Sequence, residues 1–78
     1  MCELLGISSS RPANAQGLLH AFRRRGGETA DNPDGWGIAF LRGGRFMLHK
    51  EPLPAASSHD FAEATASVHS DILIGHVR

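Results

Sequence analysis

The chain has one cysteine, and it is the second residue. No internal disulfide can form, so 78 residues must hold their fold with an apolar core and hydrogen bonds alone. Below about 80 residues that core is small, and folds of this size usually lean on disulfides, a metal or an idealised helical bundle. Nine glycines argue against the bundle, because each weakens a helix interior. The last stretch tightens the constraint. Asp71-Ile72-Leu73-Ile74-Gly75-His76-Val77-Arg78 reads as a core strand with no polar tail after it. The expectation is that residues 1–78 are the N-terminal part of a single larger domain whose remaining elements complete the core.

Composition narrows the partners. The chain is 41% hydrophobic with a formal net charge of zero, ordinary for a globular protein and without an electrostatic pull toward nucleic acid or anionic lipid. The one basic run, Arg23-Arg24-Arg25, reads as a solvated helix end. No apolar run approaches the ~20 residues of a membrane span. The start lacks the charged and apolar regions of a secretory signal. A cytoplasmic protein is expected, with a small molecule as partner and neither nucleic acid nor membrane. Oligomeric state is left open.

Periodicity gives a coarse order of elements. Cys2 to Ile7 is short and apolar, a buried strand, and Ser8 to Pro12 has loop chemistry. Asn14 can cap a helix from Ala15 to Arg24 with Leu18, Leu19 and Phe22 on its apolar face, stopped by Gly26-Gly27. Asn32-Pro33-Asp34-Gly35 is a turn signal. Trp36 to Leu41 and Phe46 to His49 are paired strands around the turn Arg42-Gly43-Gly44-Arg45. Ser57 or Ser58 can cap a second helix, and Ile72 to Val77 is the last strand. The predicted order is β-α-β-β-α-β, an α+β arrangement in one domain.

Three features carry possible chemistry. Removal of Met1 would leave Cys2 with a thiol and a free α-amino group. An α-amine has a pKa near 7.7–8.0, so it can serve as the base for its own residue's thiol. Cys2 can equally be a small buried hydrophobe. The second feature is Asp34-Gly35-Trp36-Gly37, where Gly35 allows close backbone approach beside Trp36; an ordinary turn into a strand is the plain alternative. The third is Gly75-His76-Val77-Arg78. An arginine at the end of a core strand offers a planar fork for a carboxylate, or a surface ion pair. His76 offers a ligand, an acid or base, or a satisfied core histidine. The five histidines show no ligand spacing and have one cysteine to join them, so neither a metal nor a cofactor is predicted.

Together these pieces resemble a known family. Met1-Cys2-Glu3-Leu4-Leu5-Gly6, Arg25-Gly26-Gly27, Asp34-Gly35-Trp36-Gly37-Ile38 and Gly75-His76-Val77-Arg78 look like the N-terminal part of a class II glutamine amidotransferase, of the stand-alone bacterial type. The resemblance implies an N-terminal-nucleophile hydrolase fold, a four-layer α/β/β/α sandwich of mainly antiparallel strands, present here in part. It implies glutamine as substrate, Cys2 as the catalytic nucleophile and Arg78 as the group that holds the substrate α-carboxylate. It implies a supporting role for Arg25 in positioning the N-terminal residue, and places Gly35 and Trp36 near the active site. The family's asparagine–glycine oxyanion pair and substrate-binding aspartate have no match within these residues, so the chain alone is expected to be inactive. Two other readings stay open. One keeps the chemistry but takes a γ-glutamyl peptide or conjugate as substrate. The other is a non-catalytic module that binds a partner.

Overall fold

A computed structural model describes residues 2–66 and 68–78. The elements follow the predicted order. Strand β1 is Glu3–Asn14, helix α1 Gln16–Arg24, strands β2 and β3 Trp36–Arg42 and Arg45–Glu51, helix α2 His59–Ala66, and strand β4 His69–Val77; a 3-10 turn at Ala55–Ser57 precedes α2. The four strands form one antiparallel sheet in the order β1-β4-β2-β3. The last strand of the chain is therefore an inner strand, paired on both sides. This matches the helix-and-sheet half of the α/β/β/α sandwich that the resemblance implies.

Alternation along the strands divides the sheet into two faces. Leu5, Ile7, Trp36, Ile38, Phe40, Leu73 and Val77 point to one side and pack with Leu19 and Phe22 of α1 and Phe61 of α2. Trp36 and Phe61 meet edge to face, with ring centroids 5.0 Å apart. The other side carries Leu4, Gly6, Ile74, Ala39, Leu48 and Phe46 in register. Leu4 is 74% exposed, and Leu48 and Phe46 62% each.

The connections show why the elements end where they do. Ser58 caps α2, accepting the Phe61 N–H at its Oγ over 2.9 Å. Asn14 accepts the Gln16 N–H at 2.7 Å, but it is the last residue of β1 and sits one position before the N-cap Ala15, and α1 is a residue shorter than predicted. Gly43 and Gly44 both take positive φ, 58° and 77°, the requirement of a tight hairpin.

Four local expectations differ from the structure. Cys2 to Ile7 is not a buried strand: β1 is an edge strand with one face open, and the alternate residues Cys2, Leu4 and Gly6 are exposed. Ser8 to Pro12 is not a free loop: β1 runs through it, with a register irregularity between Ser8 and Ala13, after which Ala13 and Asn14 pair with Ser70 and His69. An edge strand tolerates such a bulge and a proline within it. Leu18 is 59% exposed rather than buried with Leu19, since one residue along a helix turns the side chain 100° from the core. Arg23 does not end the helix in solvent. Its Nε donates to the Ala55 carbonyl and its Nη2 to the Ser58 carbonyl, both at 2.9 Å, tying α1 to the turn that leads into α2. No helix among the described residues is long and apolar enough to cross a membrane.

Candidate active site

The ladder between β1 and β4 opens at Glu3↔Val77. One residue further out on each strand are Cys2 and Arg78, at the same end of the sheet. Strand alternation assigns both positions to the open face, beside Leu4 and His76. Cys2 is exposed. Two features far apart in sequence thus come to the same end of the sheet because β1 pairs antiparallel with the last strand; Arg78 lines the cleft described below and Cys2 is not among its lining residues.

Arg78 is fixed through its backbone. Its N–H donates to the Gly35 carbonyl at 2.9 Å, and its carbonyl accepts the Asp34 N–H at 2.6 Å. This gives the Asp34-Gly35-Trp36-Gly37 segment a definite contact with the arginine. Gly35 has a steric reason to lack a side chain, since a Cβ there would lie 3.1 Å from the Glu51 carbonyl oxygen. Trp36 plays a different part. Its indole is buried on the helix side of the sheet, where Nε1 donates to Glu51 Oε1 at 2.8 Å. The Ser58 hydroxyl donates to the same carboxylate oxygen.

Beside Arg78 the open face forms a cleft of about 660 Å³, lined by Gly35, Gly37, Ala39, Leu48, Lys50, Ile74 and His76 among others. Gly37 is paired with His76 on one side and Lys50 on the other, so the floor between those two side chains is bare backbone. The cleft is apolar at its centre, and its charged lining is mixed, Lys50 and Arg78 with Asp34 and Glu51. That arrangement suits a small polar molecule with a carboxylate at one end.

Arg25 lies on the other side of the sheet end. Its Nε donates to both carboxylate oxygens of Glu3, at 3.0 and 3.3 Å. Asn32 Nδ2 donates to Glu3 Oε2 at 2.6 Å. The hydrogen bond from Arg25 is the main reason the Glu3 carboxyl is held below its ordinary pKa, with Asn32 and the Arg25 charge adding to it against desolvation. Glu51 is held low by the Ser58 hydroxyl first and the Trp36 indole second. Among the described residues no three His, Cys, Asp or Glu side chains come together as a metal site would require.

Sequence reasoning passed over Glu3 and Asn32. Glu3 had a signal: alternation with Leu5 and Ile7 puts a carboxylate on the core-facing side of a strand, where it needs partners. Asn32 was read only as a turn residue, and nothing local marks it as 1% exposed.

The family model for "Glutamine amidotransferases class-II" matches residues 1–78. The chain belongs to that family. It is similar to an uncharacterized protein, MJ1515, of Methanocaldococcus jannaschii, 38% identical across all of this chain and 21% of that protein. It is 40% identical to a protein named "Putative glutamine amidotransferase YafJ" from Escherichia coli, over 74% of this chain and 23% of the relative. A "Putative glutamine amidotransferase" of Haemophilus influenzae is 34% identical across all of this chain and 27% of its own length. The chain therefore spans about a fifth to a quarter of the length of the curated relatives it matches. No solved structure matches it.

Proposed function

We propose that this chain is the N-terminal part of a single amidotransferase domain in a longer cytoplasmic enzyme, which hydrolyses the side-chain amide of glutamine. The observation that supports the proposal is the β1–β4 register, in which Cys2 and Arg78 each lie one residue beyond the pair Glu3↔Val77 at the same end of the sheet, with Arg78 lining an open cleft. The Cys2 α-amine, freed by loss of Met1, takes the thiol proton. The thiolate attacks the amide carbon, and the C–N bond breaks as the amine returns the proton to the departing ammonia. Water then cleaves the γ-glutamyl thioester, releasing glutamate and restoring the thiol. Arg78 holds the α-carboxylate, so that attack falls at the far end of the substrate. His76 lines the same cleft as a polar wall.

The oxyanion hole has to come from residues outside this chain. Loss of a single oxyanion donor costs ~10²–10³ in rate, so residues 1–78 alone are inactive in this reading. The direct experiment uses the full-length protein. Mass spectrometry should find Met1 removed, and Cys2→Ala should abolish glutamate release. Arg78→Ala should lower kcat/KM for glutamine by about 10–100-fold, the worth of a charge-assisted hydrogen bond. Full activity in Cys2→Ala would end the proposal.

Lys50 favours a second reading. A cation on the cleft rim, two strands from Arg78, offers a partner to the second carboxylate of a γ-glutamyl dipeptide. The chemistry at Cys2 is unchanged, and comparing glutamine with γ-glutamyl dipeptides separates the two substrates. Retention of Met1, which blocks the amine, would instead favour a non-catalytic binding module.

A further inference from the structure

We propose that Asn32 and Glu3 are positioning residues that set the distance between the Cys2 nucleophile and the Arg78 carboxylate site; this rests on the catalytic reading of Cys2 above. Cys2 lies beyond the first ladder pair of β1, and β1 is an edge strand. Chain ends in that situation are poorly ordered unless something ties them down. The tie is the next residue. Glu3 turns its carboxylate to the helix side of the sheet and receives three hydrogen bonds there, two from Arg25 and one from Asn32.

Asn32 is the buried member of this group, 1% exposed. Its Nδ2 donates to Glu3 Oε2 at 2.6 Å and to the Arg25 carbonyl at 2.9 Å, so both amide protons are used. The two acceptors fix the orientation of the amide, because the flipped form would set an oxygen against a carboxylate and a carbonyl. Its Oδ1 is buried and has no hydrogen-bond donor among the described residues. An unmet buried acceptor costs stability. A residue that breaks a local rule in this way is expected where placement serves function.

What Asn32 is attached to gives it that function. Two residues after it, Asp34 and Gly35 make the backbone bonds that hold Arg78. The segment Asn32–Gly35 therefore grips both halves of the site, the residue after Cys2 through a side chain and Arg78 through its main chain. The separation it sets is the one a bound glutamine must span. Neither Asn32 nor Glu3 touches substrate in this scheme; each acts through its neighbour.

The test uses the full-length protein and three variants. Asn32→Asp keeps the size but sets a carboxylate against Glu3. Glu3→Gln keeps the shape and an acceptor oxygen but loses the ion pair with Arg25, and it serves if the first variant does not fold. The double variant Glu3→Gln/Asn32→Asp reverses that one hydrogen bond, with the amide at position 3 donating to the carboxylate at position 32, but still sets an oxygen against the Arg25 carbonyl, so its rescue is partial. In folded Asn32→Asp, kcat for glutamine should fall by about 10²-fold, as for a misplacement near 1 Å, with KM changed less than about twofold. The double variant should recover at least about tenfold of that loss. Iodoacetamide should alkylate Cys2 at an unchanged rate, because a small reagent does not need the nucleophile and Arg78 in register. Wild-type kcat in folded Asn32→Asp and Glu3→Gln, an effect confined to KM, a double variant no better than Asn32→Asp, or alkylation slowed in step with kcat would each overturn the inference. Cys2→Ala is assayed alongside. If it keeps full activity, the catalytic reading fails; if it is dead while Asn32→Asp works normally, only the positioning role fails.

Discussion

The two faces of the sheet are built from the same four strands, and they are finished to different degrees. On the helix side, Phe61, Leu19, Ile38, Leu73 and Val77 are each 2% exposed or less. On the open side, Leu4, Leu48, Phe46 and Ile74 leave half or more of their surface in water. Isolated exposed apolar residues are ordinary, but several in register on one sheet face are not. The helix side therefore supplies what stability the chain has, and the open side carries Cys2, Arg78 and the cleft. The buried core and the residues proposed to act on substrate lie on opposite faces of one sheet.

The largest break in that comparison should come from the helix side. Phe61 is fully buried and stacks edge-on against Trp36. Phe61→Ala should cost about 3–5 kcal/mol, a large share of the stability of any small domain. Leu48→Ala on the open side should stay within about 0.5 kcal/mol. Chemical denaturation of residues 1–78 reads both. Equal losses at the two positions would mean that the open face is covered in solution. If the full-length protein buries that face, Leu48→Ala becomes costly there and remains harmless in the 78-residue chain.

Two glycines sharpen the comparison at smaller scale. Gly75 on β4 lies on the helix side, where a Cβ would meet Phe22 Cε2 at 3.1 Å and Cδ2 at 3.4 Å. Gly75→Ala should destabilise by about 1–3 kcal/mol, the usual cost of overpacking. Gly6 on β1 lies on the open side, with nothing within 4 Å of its would-be Cβ. Gly6→Ala should leave the chain unharmed or raise its stability by about 0.5–1 kcal/mol, through the smaller entropy lost on folding. The sign of the difference between the two melting temperatures is the result to look for. A destabilising Gly6→Ala would place a neighbour over the open face.

What could be read from sequence follows the same division. The element order was legible because period-2 and period-3.6 patterns survive in Trp36–Leu41, Ile72–Val77 and the α1 residues Leu19 and Phe22. The fold family was legible because Cys2, Arg25, Asp34 to Gly37 and Gly75 to Arg78 occur together in order. The contacts of the site were less so. Cys2 and Arg78 share one end of the sheet because β1 pairs with β4, and an antiparallel register is a long-range property that no local window contains. Trp36 was expected near the active site; it is among the residues lining the cleft, while its alternation with Ile38 and Phe40 on β2 buries its indole on the helix side and the neighbouring Gly35 makes the bond to Arg78. Asn32 looked like half of an Asn-Pro turn, and its burial depends on Glu3, twenty-nine residues away. Arg23 looked solvated, and its two carbonyl partners lie beyond the whole β2–β3 hairpin.

The smallest expected effect concerns the two carboxylates that end the strands. Glu3 and Glu51 are both held below the ordinary carboxyl value of 4.5, each mainly by hydrogen bonds to the ionised form. The folded chain therefore binds fewer protons than the unfolded chain at mildly acid pH, and stability rises with pH there. Their contribution is complete above the unfolded value and is lost as pH falls through the lower folded values. Denaturant midpoints measured downward from about pH 6 should show this loss, and Glu3→Gln and Glu51→Gln should each flatten it. Salt separates the two. Glu3 depends on a guanidinium 3.0 Å away at a partly solvated sheet end, so salt should screen its share. Glu51 depends on a hydroxyl and an indole, neutral donors on the helix side of the sheet, so its share should survive. If salt removed both equally, the Glu51 carboxylate would be held by a charge rather than by Ser58 and Trp36.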